Sequence, residues 1–210
     1  MVYGMKEHKF YITYLFVAIN VFVFFVLEYG IFRNSIISLL EWGGNYAPAV
    51  VEDQQYYRLL TSMFLHVDLE HLLNNMLLLF YIGKLLESLF GKLWYSFLYF
   101  FAGIVAGLCS IVYNTHIGQA RLCVGASGAV FGLTGAMAYF IIWKKGKIAQ
   151  ISKRQMLLMV IFSLYGGFVE QNVDNTAHIG GLVAGIIFVF LYSLLPIGKK
   201  EKKKQEGMTS

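Results

Sequence analysis

Long apolar runs without charged side chains recur along the chain, separated by shorter polar segments. A helical apolar run of about 20 residues matches the hydrocarbon thickness of a bilayer. We therefore predict six membrane-spanning helices, at residues 10–27, 69–89, 93–113, 127–143, 156–169 and 177–197. The fifth run is the shortest and contains Gly166 and Gly167. The pattern thus predicts an all-α membrane protein, a six-helix bundle over residues 10–197.

The segments around these runs are polar or amphipathic. The connection 34–58 contains the stretch SIISLLEW, a Gly-Gly pair and Pro48. Because its apolar content argues against disorder, we expect this connection to lie in the membrane interface. Residues 1–9 are predicted to form a cytoplasmic N-terminus. Residues 198–210 are predicted to form a basic cytoplasmic tail, which we expect to be disordered.

Composition argues against a soluble domain. The chain is 58% hydrophobic and 14% charged, with a mean hydropathy of +0.61, whereas soluble domains carry about 25% charged residues. The net charge of +5 could suggest nucleic acid, but the placement of the lysines favours membrane topology, and we expect no nucleic-acid partner. Cys109 and Cys123 are too few for a disulfide framework or a metal site; a bridge between them stays open, and two free thiols are favoured.

Basic residues predict the orientation, because lysine and arginine favour the cytoplasmic side. One side of the six-helix model carries most of them: Lys6, Lys9, Lys84, Lys92, the loop Lys144–Arg154 and the tail. The opposite side carries only Arg33, Arg58 and Arg121. We therefore expect a multi-pass plasma membrane protein with both termini in the cytoplasm.

With that orientation, the second, fourth and sixth spans all begin at the outer face. His71 and Asn75 lie at the start of the second span, Ser127 at the start of the fourth and His178 at the start of the sixth. Four polar groups that are distant in sequence are thus predicted at one depth. Polar residues inside a membrane are costly and are usually functional.

Ser127 lies in GASGAVFGL, residues 125–133, where a polar loop becomes an apolar run. The small neighbours, Gly125 and Gly128 among them, allow another backbone or a substrate to approach the serine. A hydroxyl at a helix start also lies beside free backbone N–H groups. These are components of an acyl-transfer site, although small-residue clusters in apolar helices are more often packing contacts.

His178 lies in AHIGGLVAG, where Gly181 and Gly185 are four residues apart and share one helix face. Such a face permits close packing on another small-faced helix, which would bring the imidazole to Ser127. The histidine would then accept the hydroxyl proton and return it to the leaving amine. The alternative is a histidine that only hydrogen-bonds between helices.

His71 and Asn75 are also four residues apart and point to one side of their helix. Both can donate hydrogen bonds, and with the backbone N–H of Ser127 they could stabilise an oxyanion. The alternative is a polar contact between helices. We expect His66 and His8 to be interfacial or solvated. The histidines form no metal-binding pattern such as HExxH, so no metal is expected.

Four motifs together resemble the rhomboid intramembrane serine proteases over nearly the whole chain. They are YRLLTSMFLH (57–66), HLLNN (71–75), GASGAVFGL (125–133) and VDNTAHIGGLVAG (173–185). The resemblance implies a six-helix rhomboid-like bundle and a Ser127–His178 dyad. It also implies an oxyanion site made by His71, Asn75 and the Ser127 backbone.

The resemblance assigns further residues. Phe131 matches an aromatic position that packs on the catalytic imidazole, and Glu87 matches a structural glutamate. Arg58 matches the arginine of a Trp-Arg pair, in which Tyr57 replaces the tryptophan here, and Thr176 stands where tryptophan is frequent. The implied substrate is a transmembrane segment of another membrane protein, cut near the outer face, with no cofactor required.

Two other functions remain as alternatives. The first is a rhomboid-like, non-proteolytic protein that binds membrane clients, which the presence of Ser127 and His178 disfavours. The second is a small transporter or channel. Transporters usually show polar groups at the midplane and internal repeats, whereas here the polar groups gather at one end and no repeat is visible.

Asp174 lies four residues before His178 and suggests a Ser-His-Asp triad. We argue against a triad, because a helix that begins near Ala177 leaves Asp174 before its first turn, where the four-residue spacing gives no facing geometry. A carboxylate beside the imidazole would also carry a desolvation cost. We predict instead that Asp174 is an anion at the helix N-terminus.

Overall fold

The computed structural model describes residues 10–29, 36–143, 154, 157–158, 161 and 173–195. Its helices are α1 (Tyr11–Tyr29), α2 (Ile36–Glu41), α3 (Ala47–Val51), α4 (Arg58–Thr61), α5 (Leu69–His116), α6 (Ser127–Trp143) and α7 (Asn175–Leu194). A 3₁₀ turn, Ser62–Phe64, follows α4, and two short strands, β1 (Asn45–Tyr46) and β2 (Leu122–Cys123), pair antiparallel. The predicted N-terminus 1–9, nearly all of the fifth span and the tail 198–210 lie outside the described residues.

The helix α5 contains the second and third predicted spans, separated by a break at Gly91. Gly91 has φ 74° and ψ 169°, a conformation that favours glycine. The Tyr95 hydroxyl reaches the position where a side chain would project from Gly83, so the two halves of α5 pack against each other. A continuous helix of 48 residues would be roughly 70 Å long, more than twice the hydrocarbon thickness. The structure thus divides α5 into two helices at Gly91, between the second and third predicted spans.

The outward faces of the long helices are apolar. Large hydrophobic side chains are well exposed on α1, on both halves of α5 and on α7, including Phe22, Leu77, Val112 and Phe190. Among the described residues, Leu69–His116 and Asn175–Leu194 are long and apolar enough to cross a bilayer, and Tyr11–Leu27 and Ser127–Ile142 are shorter apolar helices. Such surfaces suit contact with lipid rather than with water.

The helix α6 is the centre of the bundle and packs against both α5 and α7. Residues 128–138 of α6 are all buried, as expected of a helix that is apolar on every side. Glycines lie where α6 and α7 approach most closely: a Cβ added at Gly185 would collide with the Gly132 carbonyl, and one at Gly135 with the Leu182 carbonyl. The two backbones therefore touch, as predicted from the small residues of these helices.

Glu87 joins α1 to α5. Its carboxylate accepts hydrogen bonds from the backbone N–H groups of Ile12 (3.1 Å) and Thr13 (2.9 Å) and from the Thr13 hydroxyl (2.7 Å). Glu87 is buried, and the donors belong to the first turn of α1, where free N–H groups and the helix dipole favour an anion. The structural role that the resemblance implies for Glu87 thus consists of capping α1.

Arg58 organises the connection between α1 and α5. The buried guanidinium donates to the carbonyls of Leu40 (2.6 Å) and Gly44 (2.9 Å) and to Gln55 Oε1 (2.7 Å). Tyr57, which replaces tryptophan, lies with its ring 5.6 Å from the guanidinium carbon and remains exposed. The exposed Ile36 and Ile37 of α2 agree with the interfacial position predicted for this segment.

We predict that Glu87→Ala lowers the free energy of unfolding by roughly 2 kcal/mol or more, because it removes a charged acceptor and leaves buried donors without a partner. Thermal unfolding in detergent measures the change. Glu41→Ala, which alters an exposed glutamate at the C-terminal end of α2, is the control and should unfold like the wild type. Equal stability of the two variants would contradict the capping role.

Candidate active site

Ser127 is the first residue of α6, as predicted. The preceding turn has Gly125 at φ 128°, a conformation that L side chains rarely adopt. The Gly125 N–H donates to the Ser62 carbonyl at 2.9 Å, which fixes the turn to the segment before α5. Ser127 is partly exposed, whereas Ala126 and Gly128 on either side are buried. The hydroxyl is thus accessible at a helix start that has free backbone donors.

His178 lies in the first turn of α7 and is 8% exposed. Its imidazole stacks on the Phe131 ring with centroids 4.1 Å apart and planes inclined by 15°. Phe131 follows Ser127 by four residues and so shares its side of α6. The stacking that the resemblance implies is present, and it packs the imidazole on a ring that lies one helical turn from Ser127.

Glycine contacts hold the two helix starts together. A Cβ added at Gly181 would collide with the Gly128 carbonyl, and one added at Gly128 would lie 4.0 Å from the Ala177 carbonyl. Gly128 adjoins Ser127, and Ala177 adjoins His178. The close approach expected from Gly181 and Gly185 therefore occurs beside the two polar residues themselves.

His71 lies on the other side of the serine turn. A Cβ at Gly125 would lie 2.7 and 2.8 Å from Cε1 and Nε2 of His71 and 3.7 Å from Ser127 Oγ. The His71 ring and the serine hydroxyl therefore both border the same glycine. Only glycine at position 125 leaves room for this ring.

Asn75 is buried one turn further along α5. Its Nδ2 donates to the His71 carbonyl at 3.0 Å. Because an amide group has two N–H donors, one remains for another acceptor. The Asp68 carboxylate accepts from the His71 N–H at 2.7 Å and caps α5. The start of this helix is thus well anchored.

Of the two expectations for His66, interfacial or solvated, the solvated one is wrong. His66 is fully buried, and its ring lies edge-on to His71 with centroids 5.0 Å apart. Burial lowers the pKa of His66, and the neighbouring His71 lowers it further, so the ring is neutral near pH 7. The signal that could have indicated burial was the position of His66 at the end of YRLLTSMFLH, five residues before His71. The turn Ser62–Phe64 carries His66 under the start of α5.

Asp174 does not bind the imidazole. It is the N-cap of α7, and its Oδ1 accepts from the Ala177 N–H at 3.0 Å. The Nδ1 atom of His178 is buried and has no hydrogen-bond partner among the described residues. The predicted role as a helix N-terminal anion is confirmed, although α7 begins at Asn175, two residues earlier than expected.

In the described residues, a mostly helical bundle with apolar outward faces packs the helix start that carries a serine against the helix start that carries a histidine. This combination defines a class of membrane protein, and comparisons with known proteins agree. The Rhomboid domain model matches residues 53–195. The chain therefore belongs to the rhomboid family and is an integral membrane protein.

Several characterised sequences are similar. Rhomboid protease GluP of Bacillus subtilis is 31% identical over 173 residues, 82% of this chain and 33% of GluP. RHOMBOID-like protein 5 of Arabidopsis thaliana is 36% identical over 149 residues, 70% of this chain and 47% of that protein. YdcA of Bacillus subtilis is 30% identical over 155 residues, with 73% of each chain covered. The match thus spans less than half of the first two relatives.

The stacking predicts that Phe131→Ala lowers the rate at which Ser127 reacts with a serine-directed phosphonate by about 10²-fold, the scale for a misplaced reacting group. Asp174→Asn should lower this rate by less than about tenfold, because Asp174 bonds the Ala177 N–H and not the imidazole. It should mainly reduce stability, because the helix N-terminus loses its anion. Mass spectrometry of the labelled protein measures both rates.

Phe140→Ala, which removes a buried ring of α6 away from the imidazole, is the control for packing loss alone. A loss near the roughly 10⁴-fold expected for a triad carboxylate in folded Asp174→Asn would make Asp174 catalytic. That result would overturn the dyad.

Proposed function

We propose that this protein is an intramembrane serine endopeptidase that cleaves transmembrane segments of other membrane proteins near the outer face, with Ser127 and His178 as a catalytic dyad. The observation that supports it most is the burial of His178 against Phe131, one helical turn from Ser127. A relative named as a rhomboid protease agrees with this activity.

The proposed reaction begins at the Ser127 hydroxyl. His178 accepts its proton as Oγ attacks the scissile carbonyl, and the imidazolium then protonates the leaving amine. The planar face of Phe131 restrains the ring during both transfers. Water then hydrolyses the acyl-enzyme by the same proton route in reverse, which restores the free serine.

Negative charge develops on the carbonyl oxygen during each attack. The Ser127 N–H at the start of α6, the His71 ring and the remaining Asn75 N–H are the proposed donors for this oxyanion. Gly125 supports them, because any side chain there would displace His71 from its place beside the serine. Each such donor typically contributes about 10²–10³ in rate.

The membrane location determines the substrate. A peptide bond within a membrane helix is hydrogen-bonded and dry, so cleavage requires local unwinding of the substrate and access for water. The partly exposed Ser127 at a helix end suits that requirement. We propose a six-span bundle in the plasma membrane with both termini cytoplasmic, which places the dyad near the outer face. The basic-residue asymmetry supports this orientation.

Ser127→Ala and His178→Ala should each abolish cleavage of a model transmembrane substrate in proteoliposomes, while the protein remains folded. The physical reason is that neither the nucleophile nor the base has a substitute in the site. Ser88→Ala and His116→Ala, at exposed positions of α5, are matched controls and should cleave at the wild-type rate.

Appreciable proteolysis by purified Ser127→Ala would contradict the assignment. A wild type that binds transmembrane segments but cuts none would instead favour the non-proteolytic, client-binding function.

A further inference from the structure

The strand pair lies directly before the serine turn. Asn45 of β1 is opposite Cys123 of β2, and Cys123 precedes Ser127 by four residues. Between Cys123 and Ser127, the Gly125 N–H donates to the Ser62 carbonyl at 2.9 Å. The turn that presents Ser127 is therefore attached twice to the segment that connects α1 to α5, once through β1 and once through Ser62.

One face of the strand pair packs on α5. A Cβ added at Gly44 would lie 2.6 Å from Leu122 Cδ1 and 3.0 Å from Val124 Cγ1, so these two side chains share a face. Cys123 lies between them and points to the other face, because successive side chains of a strand alternate. On that face the Ser110 hydroxyl of α5 donates to Cys123 Sγ at 3.3 Å. The Cys123 thiol is free, as favoured from sequence.

Asn45 makes a second contact between the strand pair and α5. Its side chain is 3% exposed, and Nδ2 donates to the Gly107 carbonyl at 3.1 Å, three residues before Ser110 on the same helix. Oδ1 is also buried and has no partner in the described part of the chain. Glycine leaves room for the amide, since a Cβ added at Gly107 would lie only 3.3 Å from Nδ2. A buried hydrogen bond therefore joins β1 to α5 directly opposite Cys123.

We propose that Asn45 is a positioning residue, which fixes the strand pair on α5 and thereby sets the position of the turn that presents Ser127. The Ser127 hydroxyl and backbone N–H act on a carbonyl only from a narrow range of distances, so a small displacement of this turn lowers the rate. The inference rests on the proposed proteolytic function for its effect on activity, whereas the hydrogen bond to Gly107 does not.

Hydrogen–deuterium exchange measured by mass spectrometry tests the contact without any need for activity. Asn45→Ala should speed exchange of the backbone amides of residues 122–126 about three- to tenfold, the scale of one hydrogen bond, because the strand pair opens more often. Asn45→Leu retains a side chain of similar size, has no donor and should have the same effect. Unchanged exchange of residues 122–126 in both variants would overturn the proposal.

Kinetics with a model transmembrane substrate test the positioning role. Asn45→Ala and Asn45→Leu should each lower kcat about three- to tenfold and leave KM unchanged, because the turn carries reacting groups and Asn45 itself is buried. Asn20→Ala is the matched control: Asn20 is also buried, and its Nδ2 donates to the Phe16 carbonyl at 2.7 Å within α1. This control should match the wild type in kcat and in exchange of residues 122–126. A raised KM with unchanged kcat in the Asn45 variants would contradict the positioning role.

Failure of this inference and failure of the proposed function are distinguishable. If the wild type cuts no better than Ser127→Ala, the proposed function fails, and the exchange rates still decide whether Asn45 holds the serine turn. If the wild type cuts but both Asn45 variants retain full kcat, the positioning role is wrong while the protease assignment stands. If neither Asn45 variant folds although Asn20→Ala does, the whole bundle requires Asn45 and the specific role is wrong.

Discussion

The contact between the backbones of α6 and α7 determines how far the serine lies from the histidine. Gly181 meets the Gly128 carbonyl beside Ser127 and His178, and Gly185 meets the Gly132 carbonyl one turn deeper, so a side chain at Gly181 or Gly185 would force the helices apart. Within lipid, apolar burial offers no driving force between helices, and close van der Waals contact has to hold them together. The geometry of the proposed dyad is thus a consequence of helix packing, and the stacking of His178 on Phe131 sets the orientation of the imidazole.

Polar residues secure the elements around this contact at their ends. Asp68 caps α5, Asp174 caps α7 and Glu87 caps α1. Arg58 donates three hydrogen bonds to other residues of the segment that connects α1 to α5. The strands β1 and β2 pair just before the serine turn. An unpaired polar group is costly in a membrane. Breaking these hydrogen bonds is therefore unfavourable, and they fix the positions of the helix starts that they join. The proposed site consists of such helix starts.

Much of this arrangement could be predicted from sequence, because it depends on local rules. Apolar run length predicted α1, both halves of α5, α6 and α7, and the spacing of Gly181 and Gly185 predicted the face that meets α6. The cap at Asp174 followed from its position before a helix. Burial of His66 was not predictable in this way, because it depends on how a short turn folds back beneath α5. The hydrogen-bond partners of Glu87 were also not predictable from local patterns, since they lie 74 and 75 residues away in sequence.

The structure of the protein after reaction with a phosphonate tests the central claim most directly, because the phosphoryl oxygen occupies the place of the oxyanion. We predict phosphorus on Ser127 Oγ and the phosphoryl oxygen about 2.7–3.1 Å from donors that include the Ser127 N–H and His71, with His178 still stacked on Phe131. An adduct on another residue, or a phosphoryl oxygen directed away from His71, would contradict it.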